Sequence, residues 1–172
     1  TRATIAREKG LEPLATMIFG QNEAVDIMKE AASFVDTEKG VASHDEALAG
    51  ARDIIAEWVN EDQNTRAKMR SLYAEKALFA TTVLAGKETE GAKYRDYFFW
   101  EEPVAKVPSH RILAVFRGEK EGFLDLRLRP PEDEALRILE KMFVKGEGPA
   151  SQQVKEAVQD SYKRLLSLSM ET

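Results

Sequence analysis

Two histidines, His44 and His110, and no cysteine are all the imidazole and thiol chemistry this chain holds. A thiolate zinc site, a disulfide framework, a cysteine nucleophile and a multi-histidine metal centre are excluded on that count. His44-Asp45 matches the dipeptide of metal phosphohydrolases, but those sites need further histidines at helical spacing. Here Ser43 precedes the pair and Glu46 closes a capping box, so the dipeptide reads as the first turn of a helix. Ser109-His110 sets a hydroxyl beside an imidazole in sequence, which does not aim one at the other, and no glycine elbow surrounds them. Ser109 reads as an N-cap. Gly118 to Gly122 and Gly146-Glu147-Gly148 lack the Lys-Ser/Thr ending of a phosphate loop and read as turns. Carboxylates are plentiful, yet none forms a spaced pair beside an apolar neighbour able to raise a pKa. No catalytic residue, metal ligand or cofactor site is expected.

Binding chemistry is better represented. Arg66 and Arg70 stand four residues apart on one helical face, with Lys68 beside them. His110, Arg111, Arg117, Lys120, Arg127 and Arg129 fall within twenty residues. Such groups meet successive phosphates, and arginine does so bidentately. The competing reading pairs these arginines with Asp125, Glu119, Glu121 or the acidic first third, as part of the fold. Tyr94, Tyr97, Phe98, Phe99 and Trp100 form an aromatic run suited to base stacking, or else to core packing or protein docking through Tyr94, Tyr97 and Trp100.

Charge places these groups in context. The formal net of −5 hides a gradient: residues 1–62 carry 6 Lys and Arg against 13 Asp and Glu. Residues 63–129 carry 13 against 9, and residues 130–172 carry 6 against 8. A polyanion contact therefore belongs in the middle third, although its net of +4 is modest for a stand-alone nucleic-acid binder. At 172 residues, 43% hydrophobic and 32% charged, the chain has the length and composition of about one globular domain. No apolar run reaches the ~20 residues of a membrane span, and no signal peptide opens the chain, so a cytoplasmic location is expected. It opens at Thr1 without a Met and stops at Thr172 inside a helical pattern, and is expected to be part of a longer protein.

The elements that must position these residues are mostly helices. Residues 44–60 carry Ala47, Leu48, Ala51, Ile54, Ile55, Trp58 and Val59 as one stripe of period 3.6. Residues 2–8, 11–19 and 23–34 read as shorter helices. Asp62 to Asn64 caps another through about Ala77, apolar at Met69, Leu72, Tyr73 and Ala77. Residues 79–84 are β-branched, and helix and strand compete there. Leu124, Leu126 and Leu128 alternate with Asp125, Arg127 and Arg129, a half-buried strand whose best local partner is 79–84. Between them Pro108-Ser109 starts a helix with Ile112, Leu113 and Phe116 inward, stopped at Gly118. Acidic residues 132–134 open a further helix after Pro130-Pro131, and Gly148-Pro149 opens the last, apolar at Val154, Ala157, Val158, Leu165 and Leu168. The expected fold is mainly α, a multi-helix orthogonal bundle with a small antiparallel β element.

Four segments together carry a resemblance. They are Thr1-Arg2-Ala3-Thr4-Ile5-Ala6-Arg7-Glu8-Lys9-Gly10-Leu11-Glu12-Pro13-Leu14-Ala15, Ala47-Leu48-Ala49-Gly50-Ala51-Arg52-Asp53-Ile54-Ile55-Ala56-Glu57, Lys93-Tyr94-Arg95-Asp96-Tyr97-Phe98, and Pro108-Ser109-His110-Arg111-Ile112-Leu113-Ala114-Val115-Phe116-Arg117-Gly118-Glu119. The combination resembles the bacterial Tex-family transcription accessory proteins, relatives of a eukaryotic transcription elongation factor. The resemblance implies that residues 1–172 are the helical region before an RNase H-like, resolvase-related domain, with 149–172, including Tyr162 to Leu166, leading into it. It further implies a non-enzymatic scaffold whose RNA or DNA contacts lie mainly in other domains, chiefly an OB fold, with docking to transcription or translation machinery as the alternative. No membrane and no small-molecule substrate are implied. Read from the residues, Arg52 and Asp53 suit a buried or interdomain ion pair, and Gly50 permits close helix approach.

Overall fold

The computed structural model describes residues 1–104 and 106–171. It divides into two compact units, one of Thr1–Ala67 with Leu136–Ser169, the other built on Lys68–Ala135.

The first unit is helical and centred on α4 (His44–Glu61). Ser43 Oγ accepts from the Glu46 N–H at 3.2 Å, while the Glu46 carboxylate reaches back to the Ala42 N–H at 2.7 Å. That return bond lies one residue earlier than in a reciprocal capping box. Ala47, Leu48, Ala51, Ile54, Ile55, Ala56 and Val59 are buried on this helix. Against it pack α1 (Arg2–Glu8), α2 (Glu12–Gly20), α3 (Ile27–Ser33) and α8 (Pro149–Ser161). Full burial of Ile54 and Ile55 contributes up to about 3 kcal/mol each. A Cβ on Gly50 would stand 2.3 Å from Leu11 Cδ1, so glycine is what lets the α2 entry lie on α4. The expected helix over 23–34 forms only from Ile27. Asn22 Oδ1 accepts from the Ala24 N–H and Asp26 Oδ1 from the Lys29 N–H, holding 22–26 as turn and cap.

The last helix departs from its pattern too. After α8 comes a π-helical turn, Tyr162–Leu166, before α9 (Ser167–Glu171). A π turn carries one extra residue and rotates everything beyond it. Val154, Ala157 and Val158 are buried as their spacing predicts, but Leu166 is buried where Leu165 was expected, and Leu168 is 48% exposed.

The second unit holds the sheet. Residues 79–84 resolve as a strand, β1 (Leu78–Val83), paired antiparallel to β3 (Leu124–Arg129) with Thr81 opposite Leu126. A third strand that the residue pattern does not announce, β2 (Phe99–Pro103), pairs antiparallel on the other side, giving the order β2-β1-β3. The helix α6 (Ser109–Lys120) covers one face of the sheet. Three expectations about it are corrected. Leu113 (69%) and Phe116 (45%) are exposed, whereas Val115 and Gly118 are buried. The helix runs through Gly118 to Lys120, because Gly118 is a close-approach site: a Cβ there would lie 2.5 Å from Leu124 Cδ1. The turn that follows uses Gly122 at φ +84°. Finally, Pro108 rather than Ser109 occupies the N-cap, and Ser109 is the first helical residue. α5 (Gln63–Lys76) buries Met69, Leu72 and Tyr73, and Ala77 is buried just beyond it, as predicted. α7 (Glu132–Phe143) opens on its three acidic residues, as its dipole favours.

Candidate nucleic-acid interface

Strand alternation decides where the cations of the second unit stand. Directly paired residues of an antiparallel sheet share a face. Phe79, Thr81 and Val83 therefore share one face with Leu128, Leu126 and Leu124, and with Glu102 and Trp100. α6 lies on that face: Phe116 meets Phe79 edge to face at 6.3 Å, and Gly118 rests on Leu124. The Arg111 guanidinium donates to the Glu102 carboxylate there. Arg117 and Lys120 are exposed on the same helix, with His110 exposed at its start.

Arg127 and Arg129 point the opposite way, sharing the other face with Leu78, Ala80, Thr82, Phe99, Glu101 and Asp125. The six basic residues close together in sequence are thus split by the sheet into a helix-side group and a sheet-side group. On the sheet side, Arg127 Nε lies 3.3 Å from Asp125 Oδ2, with both side chains more than 40% exposed. A pair so exposed contributes little to stability and exchanges partners readily.

The aromatic run divides by the same rule. Tyr94 is buried, tilted against Phe123 with ring centres 6.0 Å apart. Tyr97 and Trp100 are half-buried and meet edge to face at 5.5 Å, beside the Thr81 hydroxyl, which donates to the Tyr97 carbonyl at 2.6 Å. Phe99 is 84% exposed. The ring of this run that stands clear of packing is therefore Phe99, none of the three singled out for docking, and an alternation count from Trp100 would have found it. Lys93 lies over the Tyr94 ring at 5.2 Å and reaches Glu121 at 3.0 Å. The Lys93 ammonium holds the Glu121 carboxyl below its usual range.

The motif charges of the first unit face one another. Arg52 Nη1 donates to Gln153 Oε1 at 2.5 Å, and its Nε lies 3.6 Å from Glu156 Oε2. Arg164, within the π turn, bonds Asp160 at 2.8 Å and lies 4.0 Å from Asp53. Burial raises the Asp53 carboxyl above its ordinary range, opposed first by Arg164. Arg2 and Asp53 line three shallow clefts of 250 to 350 Å³. Arg66 donates to the Asn60 carbonyl at 3.0 Å and to Ser169 Oγ at 2.6 Å, while Arg70 is exposed. Among the described residues no three His, Asp or Glu side chains converge as a metal site, and no helix is long and apolar enough to cross a membrane.

The sequence profile of the family described as Tex central region-like matches residues 22–172. The chain belongs to the Tex family. YdcI of Bacillus subtilis (strain 168) is 35% identical to this Tex-family chain over 173 residues, 99% of the chain and 24% of that protein. YhgF of Escherichia coli (strain K12) is 48% identical over 128 residues, 74% of the chain and 16% of that protein. A Neisseria gonorrhoeae protein named transcriptional accessory protein Tex is 39% identical over 134 residues, 78% of the chain and 17% of that protein. The Tex-family chain thus spans a quarter or less of the length of these relatives.

Proposed function

We propose that this chain is a non-catalytic helical scaffold region of a larger, cytoplasmic, transcription-associated nucleic-acid-binding protein, with an auxiliary cationic contact surface on its second unit. Arg52, Arg66 and Arg164 brace helices of the first unit, whereas Arg117 and Lys120 are exposed on the second. That contrast carries the reading. Membership of the Tex family and the name of the gonococcal relative supply the transcriptional context. RNA or DNA would be engaged mainly by other parts of such a protein, with this region adding a salt-sensitive contact.

The test is a titration of the chain against short single- and double-stranded RNA and DNA at low and moderate salt. Binding should weaken steeply with salt, as phosphate neutralisation requires, and disappear in an Arg111/Arg117/Arg127/Arg129→Ala variant. No binding at low salt would remove the contact surface from the proposal. A second reading, a protein-docking module, is favoured by the exposure of Leu113 and Phe116 on α6. Salt-insensitive association with purified polymerase or ribosomes, abolished by Leu113→Ala, would replace the first reading with this one.

A further inference from the structure

The two outer strands end the sheet differently. In the order β2-β1-β3, β2 and β3 each turn one edge away from β1. The Val83 N–H donates to the Phe98 carbonyl, and the Leu84 N–H to the Phe123 carbonyl. Ladder bonds alternate along an antiparallel pair, so β2 turns the backbone groups of Phe99, Glu101 and Pro103 outward, and β3 those of Leu124, Leu126 and Leu128. The β2 edge is blunted. Pro103 has no N–H, its carbonyl accepts from the Lys106 and Val107 N–H groups, and Glu101 adds a charge. The β3 edge has no such guard. Leu124–Arg129 pairs with β1 residue for residue, without proline or bulge. Among the described residues, no group accepts from the outward N–H of Leu124, Leu126 or Leu128. A row of open donors and acceptors is a template for another strand.

We infer that β3 pairs with the β3 of a second copy of this chain, antiparallel about a twofold axis at Leu126. In that register the strand is its own complement. Leu126 faces the partner's Leu126 and Leu124 faces the partner's Leu128, so each outward N–H and C=O of one strand meets its counterpart on the other. The leucines carry the face covered by α6 across the seam. On the opposite face Asp125 stands against the partner's Arg127, and Arg127 against the partner's Asp125. These are the non-hydrogen-bonded positions, where facing side chains come closest. Both charges stay compensated, because each Asp125 trades its own Arg127, 3.3 Å away, for the partner's. Neighbouring registers lose this match. An axis at Asp125 sets two aspartates against each other. An axis at Arg127 sets two arginines together and brings Pro130, which has no N–H, opposite Leu124. This charge match selects a second copy over an unrelated strand, and the self-pairing is independent of the nucleic-acid reading.

The experiment is analytical ultracentrifugation of the 172-residue chain over a concentration series. The seam is short, so the series runs to about 1 mM, and a monomer–dimer equilibrium is expected within it. Asp125→Arg alone, or Arg127→Asp alone, sets like charges opposite each other at two places and should weaken the dimer about tenfold. An equimolar mixture of the two variants should associate as the wild type does, because the two cations of one chain then oppose the two carboxylates of the other. The double variant Asp125→Arg/Arg127→Asp, in a single chain, should also dimerise as the wild type. Circular dichroism checks that each variant folds, and if a single variant does not, the double variant carries the test. A wild type that stays monomeric through the series overturns the inference. So does a dimer that neither single variant weakens, which would form through another surface. A dimer weakened by both single variants but restored neither in their mixture nor in the double variant would overturn the antiparallel register at Leu126.

Discussion

At the scale of single residues, the interior is held by side chains whose neighbours decide their worth. Gln21 adopts a left-handed φ of 53° at the end of α2. Its Nε2 donates to the Phe143 carbonyl at 2.7 Å, and its Oε1 accepts from the Lys145 N–H at 2.7 Å and the Ser151 hydroxyl at 2.8 Å. Nothing in the local pattern announces this role, because its partners lie more than 120 residues away. Gln21→Gly should relieve the backbone yet destabilise the protein by about 2 kcal/mol, since three hydrogen bonds go unmade, measured by urea unfolding. Gln21→Ala should be worse still. Asp53 gives a prediction of opposite sense. Burial leaves its carboxyl binding a proton more readily in the folded chain than in the unfolded one. Its ionisation therefore weighs against folding above the raised pKa, and that penalty fades as pH falls toward the ordinary carboxylate value. Asp53→Asn should be at least as stable as wild type near pH 7, and its advantage should shrink toward about pH 4. Equal pH profiles for the two proteins would refute this.

At the scale of elements, legibility followed how sharply a pattern chooses one face. α4 was readable because seven apolar residues form one stripe behind a serine cap, and β3 because its leucines alternate without a break. β2 was not, since Glu101, Glu102 and Pro103 have little strand propensity and the strand exists by pairing with β1. The orientation of α6 was missed for a different reason. Ile112, Leu113, Val115 and Phe116 fill an arc of roughly 160° with Ile112 and Phe116 at its middle, so periodicity does not select which edge of that arc is buried. The selection is made by Gly118, whose missing side chain admits Leu124. Val115→Ala should accordingly cost about 2 kcal/mol, while Leu113→Ala should change stability by less than about 0.5 kcal/mol, by thermal or urea unfolding. The split of the basic cluster was likewise unreadable in a linear count, because it depends on which face of β3 the helix covers.

At the scale of the whole molecule, the two units were not visible as a break in composition: α5 and α7 run through the unit boundaries with no linker of Gly, Pro or Ser. Arg52 and Arg164 pair with residues of the first unit, whereas Arg117 and Lys120 of the second are exposed. Substituting Arg52 or Arg164 by Ala should therefore lower the unfolding midpoint while leaving the salt slope of any nucleic-acid binding unchanged. Arg117 and Lys120 variants should leave the midpoint unchanged. The π turn at Tyr162–Leu166 sets the phase of the chain's end. It winds its backbone bonds one residue wider than an α-helical turn. Deleting exposed Lys163 should close it into unbroken α-helix and turn Ser167 and the residues beyond it away from their present register, read as a lowered unfolding midpoint.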